Sequence, residues 1–330
     1  MNRATQLRDF WYVVARSGDL EAAPLARKLN GRALVVFRDE LGAARVLDAV
    51  CPHRGANLAH GRIVGGRIAC PYHGWRFDGG GRCTHIPSNR EADRVPAKYV
   101  TGSFPVIEQQ GMIWTCLGEP VAPPPRFPAI DDPTLHSFCY AAVIPVPFDW
   151  WVENALDFAH LPFVHPSTIG DQKSVIDEFV IERRHDQLGF TARAEPRQRY
   201  SLFAHLLRLE MRIAITHTMP GSVLFDIDLG RGRRQVVLAL ATPEDDGSTR
   251  VWNFAFRNFL RVPFGNAVGW WFLRAVLRED LALAARSLSL VSIDRDAMLN
   301  ARTDELSLEF LRLLRLWRGR ESASHVIRHR

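Results

Sequence analysis

Two short segments constrain this chain more than anything else in it. Cys51-Pro52-His53-Arg54-Gly55 is followed, with sixteen residues between His53 and Cys70, by Cys70-Pro71-Tyr72-His73-Gly74-Trp75. Each segment offers one thiolate and one imidazole, and its proline and glycine force a tight turn that aims both side chains the same way. A Cys2His2 zinc site is the competing reading. Zinc fingers, however, pair cysteine with cysteine and place both histidines on a helix. Here each loop is mixed, and both lie among strand and turn signals. A [2Fe–2S] cluster with two thiolates on one iron and two imidazoles on the other needs this mixed arrangement, each loop giving one ligand to each iron.

The surroundings agree with a small β domain. Arg32–Arg38 and Ala44–Asp48 alternate like strands, Gly65-Gly66 and Gly79-Gly80-Gly81 mark turns, and Val106–Leu117 reads as a hairpin about Gly111. Pro120-Val-Ala-Pro-Pro-Pro-Arg-Phe-Pro128 can continue neither a helix nor a central strand. The expected organisation is therefore a domain over residues 1–120 and a second over 121–330. In the second, a helix is expected from about Asp149 to His160, antiparallel strands through 175–260, and long helices over Ala267–Ser292 and Thr303–Trp317. Ser201–Ile215 fits an amphipathic helix or two strands.

A second constellation opens that domain. Asn154, Asp157 and His160 recur every three residues, which puts neighbours on one helix face, and His165 follows five residues later. On a straight helix His165 would lie roughly 140° round from His160. Pro162 is expected to break the helix and let His165 fold back. Two imidazoles and one carboxylate leave coordination positions open for O2 and substrate on Fe(II). Asp280, in the long late helix, is the best candidate carboxylate. Val268, Phe272 and Val276 precede it at four-residue steps, so an inward-facing apolar stripe is expected to carry it.

The first motif resembles the Rieske ferredoxin type. Together with N-x2-D-x2-H-x4-H downstream, the chain resembles the alpha (oxygenase) subunits of Rieske non-haem iron aromatic-ring-hydroxylating oxygenases. The opening Phe10-Trp-Tyr-Val-Val-Ala15 looks like that of the demethylase or monooxygenase branch. The resemblance implies an α+β fold: an N-terminal Rieske antiparallel β-sandwich, then a catalytic domain with a curved antiparallel sheet flanked by helices, helix-grip-like. It implies Cys51, His53, Cys70 and His73 as cluster ligands, with Arg54, Gly55, Gly74 and Trp75 in packing roles. His160, His165 and Asp280 would hold a mononuclear Fe(II), and Asn154 would lie near that iron. Asp157 would bridge one iron-ligand histidine to a cluster histidine, His73, of a neighbouring chain in a homotrimer. Electrons would come from NAD(P)H through a separate ferredoxin or flavin reductase, for O2-dependent hydroxylation or O- or N-demethylation of an aromatic or other small hydrophobic molecule. Alternatives are cis-dihydroxylation and a non-catalytic Rieske electron carrier. One departure stands out. Relatives often carry glutamate or glutamine soon after the aspartate, where this chain has Leu281-Ala-Leu-Ala-Ala-Arg-Ser-Leu288, so Glu279 and Asp294 are kept as alternative ligands.

Other classes fit less well. A net charge of +6, from 42 Lys+Arg against 36 Asp+Glu, is mild, and the arginines are dispersed, which argues against nucleic acid and allows an acidic protein partner or an anionic substrate. Arg208, Arg212, Arg231, Arg233 and Arg234 lie in the stretch, about 200–275, expected to line the pocket. No G-x-G-x-x-G opens a helix, so the nicotinamide and flavin belong to another protein. No apolar run reaches the ~20 residues of a membrane span. Five cysteines and no export signal point to the cytoplasm and to buried thiols at Cys83, Cys116 and Cys139.

Overall fold

A computed structural model describes residues 7–90, 92–166, 168, 180–194, 212–260, 262, 264–288 and 298–328. The chain divides into two compact units, Met1–Arg126 with Thr242–Gly247, and Phe127–Ala241 with Ser248–Arg330. The short insertion Thr242–Gly247 was not anticipated; its Thr242 hydroxyl donates to the Val13 carbonyl at 2.7 Å.

The first unit consists of antiparallel sheets. Strands β1 (Tyr12–Arg16), β11 (Met112–Thr115) and β10 (Val106–Gln109) form one, in that order. The strands β2 (Leu25–Leu29), β3 (Arg32–Arg38), β4 (Ala44–Asp48) and β9 (Ser103–Phe104) form the next. The last is built of β5 (Arg62–Val64), β6 (Arg67–Ala69), β7 (Arg76–Phe77) and β8 (Cys83–His85). Local chemistry sets the register. Asn30 and Gly31, at φ 49° and 76°, join β2 to β3, as a two-residue type I′ turn requires. Leu34 to Phe37 are wholly buried, and β3 is an inner strand that can hide both faces. The core around it includes Val35, Phe37, Leu47, Leu58, Ile68 and Phe77, and both motif cysteines, Cys51 and Cys70, belong to it. Cys83 and Cys116 are buried and Cys139 is partly buried.

The second unit is one seven-stranded sheet with helices. Strands β12 (His136–Ile144), β18 (Ser248–Arg257), β17 (Arg234–Asp245), β16 (Ser222–Asp228), β15 (Arg212–Thr218), β14 (Gly189–Ala194) and β13 (Val180–Arg183) follow in spatial order. Successive strands are neighbours except β12, which pairs antiparallel with β18 from His136↔Arg257 to Ile144↔Thr249. The helices are α1 (Pro128–Asp131), α2 (Phe148–Leu156), α3 (Leu161–Val164), α4 (Gly265–Leu288) and α5 (Glu305–Arg328). Helix α4 passes over β12 closely enough that a Cβ on Gly269 would sit 2.7 Å from the Phe138 ring. Helix α5 buries Leu306, Phe310, Leu313 and Leu314. No helix among the described residues is long and apolar enough to cross a membrane.

Three expectations need correction. The helix expected to reach His160 ends at Leu156, with Asp157 already extended at φ −85° and ψ 106°. Pro162 does not break a helix; it lies in the first turn of α3, where a missing N–H costs nothing. The apolar stripe leading to Asp280 is not inward either. Val268 is 54% exposed and Phe272 38%, whereas Leu277, Asp280 and Ala284 are buried. Four-residue steps advance about 40° each, so residue 268 lies about 120° round the helix from residue 280. Of Ser201–Ile215, residues 212–215 belong to a strand, while 201–211, with Arg208, lie outside the described residues, as does Asp294.

Candidate metal centres

The two cysteine–histidine loops share one backbone frame. The Cys51 amide donates to the Ala56 carbonyl (2.9 Å) and the Cys70 amide to that of Trp75 (2.8 Å). The Gly55 amide donates back to Cys51 (2.9 Å) and that of Gly74 to Cys70 (3.1 Å). Each glycine closes its loop with a positive φ, 72° and 70°, that other residues adopt only at a cost. The histidine sits two residues after the cysteine in one loop and three after it in the other.

This frame brings the four side chains together in like pairs. The His53 and His73 rings lie 4.6 Å apart, and His53 is stacked on Trp75 at 4.4 Å and 6°. Burial, and then the sulfur of Cys70 beside it, push the Cys51 thiol up to about 11, although the His53 and Arg54 amides pull the other way. Burial and the neighbouring His73 and Arg54 charges push the His53 imidazole down, towards its neutral form. The Nδ1 atom of His53 is buried and has no hydrogen-bond partner. Two adjoining thiols and a neutral imidazole with an orphaned nitrogen form a donor set suited to the mixed thiolate–imidazole cluster.

The second centre is assembled from α2, the turn after it, and α4. Asp157 ends α2 and accepts the Ala159 amide at 2.8 Å, a tight turn that sets His160 at the start of α3. The single turn of α3 then delivers His165, 1% exposed at its side chain. The two imidazole rings stand 5.3 Å apart at 64°. Asp280 comes from α4, and one ligand atom from each of His160, His165 and Asp280 lies within 4.8 Å of the other two. Asp280 Oδ1 is 3.1 Å from His165 Nε2 and 3.5 Å from His160 Nε2. Asn154 Nδ2, on α2, donates to the same oxygen at 3.2 Å. Asp157 Oδ2 lies 3.7 Å from His160 Nδ1, beyond hydrogen-bond reach.

The electrostatics favour a cation at this point. Burial opposes charge on His160, but the Asp157 and Asp280 carboxylates outweigh it and raise its pKa to about 9. Burial likewise works against the Asp280 carboxylate, and the two histidines overcome it and hold its pKa near 2. The buried Nε2 of His165 has no well-aligned hydrogen bond despite its short distance to Asp280. Two imidazoles and a carboxylate whose donor atoms lie within 4.8 Å of one another match the 2-His-1-carboxylate set of non-haem iron sites.

The structure gives one participant a different role from the one the sequence suggested. Glu279, considered there as an alternative ligand, lies against the other nitrogen of His165: its Oε2 is 2.8 Å from Nδ1 and accepts the Thr168 hydroxyl at 2.8 Å. The only signal available was an acid adjacent to Asp280. Among the arginines, Arg234 is engaged by Asp226 at 2.7 Å.

Comparison with known proteins agrees with this anatomy. Residues 10–105 match the Rieske [2Fe-2S] domain, and residues 144–319 match the vanillate O-demethylase oxygenase C-terminal domain. The oxygenase component of dicamba O-demethylase from Stenotrophomonas maltophilia is 36% identical over 165 residues, 49% of this chain and 48% of that protein. Methylxanthine N1-demethylase NdmA from Pseudomonas putida is 35% identical over 202 residues, 56% of this chain and 55% of that one. The matched segment thus spans about half the length of these curated relatives. Crystallised dicamba monooxygenase bound to dicamba superposes with a TM-score of 0.84 at 25% identity, covering 97% of this chain and 100% of that one. NdmA from Pseudomonas putida CBB5 with caffeine gives 0.85 at 23% identity, over 96% and 92%. The α+β fold expected from the sequence is that of these proteins. The chain belongs to the Rieske non-haem iron oxygenases, in the branch that carries the vanillate O-demethylase C-terminal domain.

Proposed function

We propose that this protein is the oxygenase component of a multicomponent Rieske system. It takes electrons from NAD(P)H through a separate ferredoxin or flavin reductase and uses O2 to hydroxylate, or to O- or N-demethylate, an aromatic or other small hydrophobic molecule. Residues 1–120 form the electron-carrying domain, with Cys51, His53, Cys70 and His73 holding the [2Fe–2S] cluster. Residues 121–330 form the catalytic domain, with His160, His165 and Asp280 holding Fe(II). The observation that carries this reading is the buried convergence of those three donor atoms within 4.8 Å, on a chain that also carries the Rieske motif. An electron carrier alone needs no such second site.

Bound iron would supply O2 activation and insertion into a C–H bond. The remaining work belongs to this chain's side chains. Asn154 orients the Asp280 carboxylate by donating to Oδ1. Burial of His165 and Asp280 keeps bulk water from the donor atoms. Asp157 faces the Nδ1 of His160 without bonding it, and its carboxylate is available to a second donor. In a homotrimer that donor would be His73 of the partner subunit, tying the two centres together. The dicamba and methylxanthine relatives favour demethylation over cis-dihydroxylation.

Metal and acid-labile sulfide analysis of the purified protein tests the reading. Roughly three irons and two sulfides per chain are expected. Two irons would leave a carrier without a catalytic centre, and zinc without sulfide would remove the Rieske assignment. Screening aromatic methyl ethers and N-methyl amines for coupled NADH oxidation, O2 uptake and formaldehyde release then separates demethylation from dihydroxylation.

A further inference from the structure

The two histidines of the candidate iron site are secured in different ways. His165 is gripped at both ring nitrogens by consecutive residues of α4. Glu279 Oε2 lies 2.8 Å from Nδ1 and Asp280 Oδ1 lies 3.1 Å from Nε2. Successive helical residues diverge by about 100°, and the His165 ring occupies the gap between these two side chains. The Thr168 hydroxyl, three residues beyond His165, donates to the same Glu279 oxygen at 2.8 Å. His160 has no equivalent: its Nδ1 is buried without a hydrogen-bond partner among the described residues.

We infer that Glu279, held in place by Thr168, is a positioning residue that fixes the tautomer and ring orientation of His165. The inference rests on His165 being an iron ligand. A carboxylate can only accept, so the hydrogen shared with Glu279 resides on Nδ1, and the Nε2 lone pair is left facing the point shared with Asp280 and His160. Metal-ligating imidazoles generally need such a partner, and its loss weakens metal binding by about 10–100-fold. Glu279 therefore acts through His165 and is not itself a ligand, because the two ring nitrogens point in diverging directions. The short clamp explains how one imidazole keeps its orientation while the other has a free Nδ1.

The test uses the full-length protein with its cluster in place, the cluster's visible absorption serving as an internal folding control. Affinity for Fe(II), and for Co(II) as an optical probe, is measured by equilibrium dialysis against a chelator. Glu279→Ala is expected to weaken binding about 10–100-fold and to shift the Co(II) visible bands, with an unchanged cluster spectrum and unchanged melting of the metal-depleted second unit. Glu279→Gln should restore most of the affinity, since its amide oxygen still accepts from Nδ1. Thr168→Val should give a smaller loss and Thr168→Ser none. If His165→Ala abolishes binding while Glu279→Ala binds as tightly as the parent, the clamp is wrong and the iron site stands. If His165→Ala keeps full affinity, the ligand assignment fails and the clamp goes with it.

Discussion

His217, on β15, is fully buried between the rings of Phe190 (5.3 Å) and Phe310 (5.2 Å). Burial pushes its pKa down to about 3, against the Ser222 backbone and the Glu309 charge, which pull the other way. Glu309 is itself held by Arg183 at 2.9 Å and Arg312 at 2.7 Å. Because the folded value lies below the ordinary 6.5, the unfolded chain takes up a proton that the folded chain refuses. Stability is complete above pH 6.5 and falls as pH drops from there towards 3. This one residue should cost about 1.4 kcal/mol between pH 7.5 and 5.5. Urea denaturation at the two pH values, compared with His217→Phe, should show that difference flattened in the variant; an unchanged slope would contradict the neutral buried imidazole. A second residue-scale prediction concerns Asn154. Asn154→Ala removes the donor to Asp280 Oδ1 and should reduce Fe(II) affinity by about tenfold, with little change in melting temperature, since the side chain is only part-buried.

At the scale of elements, stability is concentrated where turns and packing agree. Gly31 closes the β2–β3 hairpin at φ 76°, and a Cβ there would meet nothing within 4 Å. Gly31→Ala should therefore cost only the backbone penalty, about 1 kcal/mol, read as a shift in the denaturation midpoint. Phe310 anchors α5 to the sheet and is wholly buried. Phe310→Ala should cost about 3–5 kcal/mol by urea titration, with the cluster spectrum unaffected, because the cluster residues lie in the other unit. Some elements were readable in advance and others were not. The hairpin about Gly111 and the strand Arg32–Arg38 follow from turn residues and alternation within a few positions. The end of α2 does not. The signal there is short-range, the Asp157 side chain accepting an amide two residues on, but the three-residue spacing of Asn154, Asp157 and His160 reads equally well as one helix face.

Over the whole molecule, each candidate centre draws its ligands from one compact unit: 51, 53, 70 and 73 from the first, 160, 165 and 280 from the second. Dialysis against a mild chelator should thus strip about one iron in three while leaving the cluster absorption intact. Loss of both in step would mean that the centres do not behave as separate sites.

The amino-acid sequence alone determined the cluster loops and the pair of histidines. Within each cluster loop cysteine, histidine, proline and glycine lie within five residues of one another, and short-range turn geometry is enough to aim the two ligands of that loop the same way. Only the tertiary structure decided which late acid meets the histidines, and at which nitrogen. Asp280 faces Nε2 of both rings and Glu279 faces Nδ1 of one, across 114 residues for the Glu279–His165 contact. That outcome depends on the rotation of α4 about its axis. The packing of Leu277 and Ala284 sets that rotation, and the four-residue stripe through Val268 and Phe272 pointed about 80° to 120° away from it.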